Sequence, residues 1–312
     1  MTWHDTSVQT DEPPLISIVL PTYDGERYLG EALDSCLKQT YPQWELVVVD
    51  DASTDGTGAI ISEYARGDER IRHVRHEVNQ RLPAALNTGF AHSCGSLLTW
   101  TSDDNRFHPD ALTRMARHML AHPDTSVVYT DFALIDQAGA QTAVHRVATP
   151  ERLLSGDNMI PSFLFRRAVY ERVGQYAEDL FLAEDFDYWL RISCTGLVME
   201  PLHELLYDYR LHPHSLTDEH KERAFHASEQ ALLRHVSRLA HILPQRRLDM
   251  GRAYAQLSAL ARWQGANRRS LNYLAQALRY APLPTVRGTM TSVARRITRH
   301  ASAKAGVDRP QV

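Results

Sequence analysis

Residues Glu45–Thr57, ELVVVDDASTDGT, limit the fold of this chain more than any other stretch. Leu46, Val47, Val48 and Val49 follow one another without a polar residue and then stop at Asp50 and Asp51. A short β-branched run of this kind is a strand covered on both faces, as in a parallel sheet. Ser53, Asp55 and Gly56 then supply turn and helix-cap chemistry, so the pattern reads strand, polar turn, helix start. Open α/β sheets bind ligands at that edge. The turn carries acids where a phosphate cradle carries glycines, so it suits hydroxyls, a base or a metal. Ser53 and Asp55 equally serve as caps of the following helix, and both readings stand at this point.

The rest of the chain repeats the unit. LISIVL, residues 15–20, is a second buried strand, ending at Pro21-Thr22-Tyr23-Asp24-Gly25. A helix is expected from about Glu26 to Gln39, with Leu29, Leu33 and Leu37 on one face. The spacing predicts further helices from about Thr57 to Arg66, Pro83 to His92 and Pro109 to Ala121. Strands are predicted around Ile71–Arg75, Leu97–Thr101 and Ser126–Thr130. Strand–helix alternation of this kind argues for an α/β fold with a mostly parallel, doubly wound sheet. Asp51 and the run Ser102-Asp103-Asp104-Asn105 then open onto one carboxyl edge.

Composition excludes several classes. At 43% hydrophobic and 23% charged residues the chain is ordinary for a globular protein. No run approaches the roughly 18 apolar residues of a membrane span, and MTWHDTSVQTDEPP lacks the basic and apolar parts of a signal peptide. Cys36, Cys94 and Cys194 lie too far apart for a metal knuckle, which suits a reducing, cytoplasmic compartment. The net charge of -4 conceals a split. Residues 1–220 hold 17 Lys/Arg and 34 Asp/Glu, a balance of -17, whereas residues 221–312 hold 17 and 4, a balance of +13. Three parts follow: an arm over 1–14, an α/β domain over 15–220, and a basic helical region over 221–312. The acidic body argues against nucleic acid as a partner.

The segments PTYDGERYLGEALDSCLKQTYPQWELVVVDDASTDGT, LPAALNTGFAHSCGSLLTWTSDDN, FLFRRAVYERVGQY, AEDFDYWLR and YRLHPHSLT closely resemble, in order, glycosyltransferase family 2. The resemblance covers about residues 15–217. It implies the GT-A fold and inverting transfer of a sugar from a nucleotide donor (UDP-, GDP- or dTDP-linked) to a hydroxyl on a saccharide or lipid-linked acceptor. By resemblance, Pro21, Thr22 and Tyr23 line the base pocket, with Tyr23 stacking on the ring and Asp51 accepting the base N–H. Asn79 and Arg81 touch the donor from their loop, although Gln80 stands where the family often has glycine. Ser102-Asp103-Asp104 occupies the place of the D-x-D motif. Asp104 matches the acid that holds Mn²⁺ or Mg²⁺, and Asp103 is left for the ribose. Ser102 departs from the motif. Asp185 matches the catalytic base, with Glu184 beside it. Arg210 and His212 match a segment that folds toward the diphosphate, as does His214.

Competing readings differ in residues. A sugar-1-phosphate nucleotidyltransferase needs a basic, Gly-rich loop after the first strand, which PTYDGERY lacks. A catalytically inactive GT-A binding module is favoured only by Ser102. A dinucleotide-binding dehydrogenase lacks its G-x-G-x-x-G, and a processive synthase lacks both membrane spans and Q-x-x-R-W. Beyond residue 220, Ala231–Leu239, Leu248–Trp263 and Ser270–Tyr280 carry helical spacing, an α-hairpin without the repeats of a solenoid. Val286, Met290, Val293 and Ile297 then form a stripe among Arg287, Arg295, Arg296, Arg299 and Lys304. Such a helix either lies on an anionic membrane face through residues 285–304 or docks on its own domain. The loop Asp157–Phe163 is the expected acceptor determinant.

Overall fold

The computed structural model describes residues 12–150, 152, 159–242 and 246–305. Most of the expected N-terminal arm and the first residues of the acceptor loop lie outside that set. The chain folds as mixed α/β with a nine-stranded sheet and a C-terminal group of helices. Strands β1 (Ile16–Thr22), β2 (Trp44–Asp50), β3 (Ile71–Arg75) and β4 (Leu97–Trp100) are parallel, ordered β3-β2-β1-β4. The register pairs Thr22 with Asp50. Both strands therefore end together, and the turns at Tyr23 and Asp51 emerge side by side.

Helices α1 (Leu29–Leu37), α2 (Thr57–Gly67), α3 (Leu82–Ala91) and α4 (Ala111–Ala121) connect these strands, with the two-residue β5 (Arg106–Phe107) before α4. Helix α1 buries Leu29, Ala32, Leu33 and Cys36 in the main core. It starts later than its apolar spacing predicts. Gly25 and Glu26 donate their backbone N–H groups to Thr57 and Asp55 instead of entering the helix. Those cross-loop bonds satisfy donors that a helix start leaves unpaired.

The second half carries what local periodicity did not reveal. Strand β6 (Thr125–Ile135) is eleven residues long and runs past the expected end at Thr130. It pairs with β7 (Gln141–His145) and β8 (Phe163–Arg166), both antiparallel. Strand β9 (Val198–Arg210) lies parallel to β6 with register shifts and takes β5 as its antiparallel neighbour. Between them come α5 (Arg167–Val173), a single 3-10 turn at Glu178–Leu180, and α6 (Glu184–Ser193).

The C-terminal helices are α7 (Leu216–Glu219), α8 (Lys221–Ile242), α9 (Arg246–Trp263), α10 (Asn267–Tyr280) and α11 (Leu283–Ala305). They do not stand apart from the sheet domain. Leu180, Ala183, Phe186 and Leu190 share a core with Ala227, Ala231 and Leu232 of α8 and Leu257 of α9. The α11 stripe faces inward: Val293 packs with Phe225 and Leu260, and Val286 with Ala255 and Ala277. Three of the four stripe positions named for membrane contact are thus engaged by the protein's own helices, because α9 offers a matching apolar face. The side chain of Ile297 lies outside the described set. No described helix is long and apolar enough to cross a membrane.

Candidate active site

A cavity of about 700 Å³ opens at the carboxyl ends of β1, β2 and β4. Pro21, Thr22, Tyr23, Asp51, Asn79, Arg81, Asp103, Asp104, Glu184, Asp185 and His212 all line it. Arg210 does not.

One wall is built by two turns, after β1 and β2, that hold each other. Asp24 N–H donates to Ser53 Oγ at 3.0 Å, Asp24 Oδ1 accepts from Thr54 N–H at 2.6 Å, and Glu26 accepts from Gly56 N–H at 2.7 Å. Ser53 and Asp55 therefore clasp the opposite turn, and Asp55 also accepts from Thr57 N–H at the start of α2. Tyr23 is not a core aromatic: it is 49% exposed on the cavity wall.

Asp51 is 3% exposed and anchors the neighbouring loop. Its Oδ1 accepts from Gln80 N–H at 2.8 Å and from the His76 ring at 2.6 Å, and its Oδ2 accepts from Arg81 N–H at 2.7 Å. Three of the roughly four lone-pair positions of a carboxylate are filled, which leaves room for one more donor. Backbone strain concentrates here. Asp24, Ala52, Arg81 and Leu182, with φ of 50°, 67°, 73° and 78°, are the non-glycine residues in the left-handed region among those described. Such backbone costs on the order of 1–3 kcal/mol per residue and tends to collect at ligand sites.

The floor is the acidic run after β4. Asp103 accepts from the Thr22 hydroxyl. Burial, reinforced by the charge of Asp104, pushes the Asp103 carboxyl up to about 7. A Cβ on Gly25 would collide with Asp103 and Thr22, so only glycine lets the first turn approach this closely. Asp104 Oδ2 lies 3.0 Å from His212 Nε2, while Asp104 Oδ1 and His212 Nδ1 are buried without a hydrogen-bond partner. An orphaned carboxylate oxygen beside a second carboxyl fits a hard divalent cation. His212 is steadied by the Tyr28 ring, centroids 5.1 Å apart. Asn105 Oδ1 accepts from Arg210 N–H at 2.8 Å.

Arg210 sits beneath this floor. Its guanidinium is fully buried and donates to Glu31, to the Asp104 carbonyl and to the carbonyls of Asp136 and Gln137, while lying over Tyr28. With its donors spent on the protein, it shapes the backbone that presents Asp104. A buried guanidinium needs this many partners to offset desolvation.

The far wall comes from α6. Asp185 and Glu184 occupy its first turn, where the helix dipole favours negative charge. Glu184 is 5% exposed and accepts from Leu182 N–H at 2.7 Å. Burial, together with the adjacent Asp185 charge, raises its carboxyl to about 8. Glu184 is thus largely protonated at neutral pH. Asp185 is half-buried on the cavity wall. Residues not anticipated also contribute. His76 is the partner of Asp51, and Trp100, Tyr209 and, from α8, Ala224, Phe225 and Ser228 also line the cavity. The basic region beyond residue 220 therefore forms part of the cavity, which the sharp charge boundary concealed.

Residues 17–173 match the family model described as "Glycosyl transferase family 2". A Bacillus subtilis protein named "Putative teichuronic acid biosynthesis glycosyltransferase TuaG" is 29% identical over 67% of this chain and 83% of its own length. "Uncharacterized protein y4gI" of Sinorhizobium fredii is 32% identical over 72% of the chain, which spans only 26% of that relative. Among solved structures, S. aureus TarS 1-349 in complex with UDP-GlcNAc superposes with a TM-score of 0.66 at 16% identity, covering 94% of this chain and 92% of that one. The mannosyltransferase PcManGT from Pyrobaculum calidifontis, in complex with GDP-Man and Mn²⁺, superposes with a TM-score of 0.61 at 22% identity, covering 95% and 86%. These structures show the same GT-A fold. With half its length matched by the family model and its acidic turns gathered on one cavity, the chain belongs to glycosyltransferase family 2.

Proposed function

We propose that this protein transfers a sugar from a nucleotide-sugar donor to a hydroxyl acceptor with inversion at the anomeric carbon, using Asp185 as the base. The observation that carries this reading is a single cavity lined by Tyr23 and Asp51 on one wall, Asp103 and Asp104 on the floor, and Asp185 opposite. Tyr23 stacks on the base and Asp51 takes a base N–H in its remaining acceptor position. Thr22, Asn79 and Arg81 hold the donor, and Asp103 faces the ribose. Asp185 accepts the proton of the acceptor hydroxyl as that oxygen bonds to the anomeric carbon and the bond to the diphosphate oxygen breaks. Burial and the neighbouring Asp185 charge raise the Glu184 carboxyl, which favours its protonated form.

Asp104, through its orphaned Oδ1, and His212 are the residues to hold Mn²⁺ or Mg²⁺. Bound there, the ion neutralises charge on the leaving diphosphate. TarS and PcManGT bind UDP-GlcNAc and GDP-Man, and TuaG is named for teichuronic acid synthesis, which supports a nucleotide-sugar donor and a role in surface polysaccharide assembly. Isothermal calorimetry of the full chain against UDP-, GDP- and dTDP-sugars, with Mn²⁺ and with EDTA, tests the reading. One donor class should bind in Mn²⁺, and binding of none would remove it.

The enzyme is proposed to work at the cytoplasmic membrane face on a saccharide or lipid-linked acceptor. The support is the +13 balance of residues 221–312. With the stripe of α11 packed inward, any contact through residues 285–304 rests on cationic side chains. Each contributes on the order of 1 kcal/mol near an anionic surface. Flotation on anionic vesicles should weaken when Arg287, Arg295 and Arg296 are changed to Glu, and unchanged flotation would exclude this contact.

A further inference from the structure

We propose that His118, His122 and Glu200 form a second metal site, at the edge of the sheet opposite the donor cavity, suited to a borderline divalent ion such as Zn²⁺. His118 lies in the last turn of α4 and His122 is the residue that caps its C-terminus, and their rings stack there. Glu200 lies near the start of β9, whose Val198 pairs with Thr125 at the start of β6. One ligand atom from each of the three side chains falls within 4.8 Å of the other two. None of the three lines the donor cavity.

The cluster is more than an ion pair. His118 Nε2 lies 2.9 Å from Glu200 Oε2, which alone would be an ordinary His–carboxylate contact. His122 takes no part in that pair, yet its ring stacks on His118 with centroids 4.3 Å apart. Its Nδ1 lies 2.9 Å from the His118 carbonyl oxygen, an atom that can only accept. Nδ1 is therefore the protonated nitrogen, and Nε2 carries the lone pair. This backbone-anchored tautomer is the usual arrangement of a metal-binding histidine. Glu200 is held in turn by the Thr125 hydroxyl at 2.5 Å. The end of α4 also presents the negative pole of the helix, which favours a cation.

Donor chemistry separates this site from the floor of the cavity. Two imidazoles and one carboxylate select Zn²⁺, Ni²⁺ or Co²⁺ over Mg²⁺. Three protein ligands leave a fourth position for water. The ion takes the place of the proton shared by His118 and Glu200, and it clips the end of α4 to β9.

The test is calorimetric titration of the chelator-stripped full chain with ZnCl₂ in excess MgCl₂, with the Asp104→Ala chain run in parallel to separate the cavity site. Wild type should bind one Zn²⁺ and unfold at a higher temperature with it. His122→Ala, a surface change, and Glu200→Gln should each lose that binding, whereas Asp104→Ala should keep it. The His122→Ala chain should retain wild-type donor affinity. Absence of Zn²⁺ binding by wild type, undiminished binding by His122→Ala, or loss of binding in Asp104→Ala would each overturn the assignment.

Discussion

His235 Nε2 of α8 donates to Asp187 Oδ1 of α6 at 2.7 Å, with both side chains buried. Arg191 holds the other oxygen of Asp187 at 2.8 Å and donates to the carbonyls of Val173 and Gln175. The helix that carries Asp185 is thereby tied to the C-terminal region two residues beyond the proposed base. Burial alone would raise Asp187, but His235 and Arg191 outweigh it and leave the carboxyl below its usual range.

Replacing His235 by Leu removes a buried partner of an ionised carboxylate and should cost about 2–3 kcal/mol of stability. Turnover should fall while donor affinity stays near wild type, because α6 carries the proposed base and lines the cavity opposite Tyr23 and Asp51. His235→Gln, which keeps a donor, should recover part of both. Because Asp187 is lowered in the folded state, its contribution is present above the unfolded value and fades as pH falls through the lower folded one. Thermal unfolding at several pH values and steady-state kinetics check both parts. Equal loss of donor affinity in His235→Leu would contradict the assignment.

Glu184 gives the opposite pH sign. With its carboxyl raised to about 8, the folded state holds a proton that the unfolded chain releases near 4.3. Stability from this group is therefore greatest at low pH and declines as pH rises from about 4 to about 8. Glu184→Gln should flatten that decline in unfolding curves taken from pH 5 to 8. An unchanged slope would show that Glu184 ionises normally in the folded protein.

Asp51→Ala should loosen residues 76–81 as well as weaken donor binding, since the carboxylate accepts from Gln80 N–H, Arg81 N–H and His76. Of these donors only the His76 ring is buried, and losing an acceptor for a buried donor costs about 1–3 kcal/mol. Hydrogen exchange should accelerate at the Gln80 and Arg81 amides. Protection equal to wild type would mean that other contacts hold the loop.

Asp104→Ala should remove the dependence of donor affinity on Mn²⁺ or Mg²⁺, with the chain still folded. Calorimetry of the variant in Mn²⁺ and in EDTA checks this. Stronger donor binding in Mn²⁺ than in EDTA for Asp104→Ala would place the ion elsewhere.

The parallel half of the sheet and the acidic turns were legible because they are local: Leu46–Val49 is one unbroken apolar run, and Asp51 follows it directly. Strands β7 to β9 were not. Strand β7 is an exposed five-residue hairpin partner of β6 without an apolar run, and β8 finds its partners far away in sequence. Strand β9 mixes polar with apolar residues because it runs between core and surface. Arg210 shows the same limit within the site. Its place in YRLHPHSLT suggested a phosphate, whereas its contacts with Glu31, Asp136 and Gln137 arise only once β9 lies beside β6. The pair His118 and His122 did carry a local signal, two histidines four apart at the end of α4. The signal was incomplete without Glu200, which tertiary pairing supplies.

The central claim is that Asp185 takes the acceptor proton. With the donor identified by calorimetry, single-turnover kinetics of Asp185→Asn test it most directly. Turnover should be lower by about 10²–10⁴-fold with donor affinity unchanged, the range a positioned general base supplies. Turnover near wild type in that variant would contradict it.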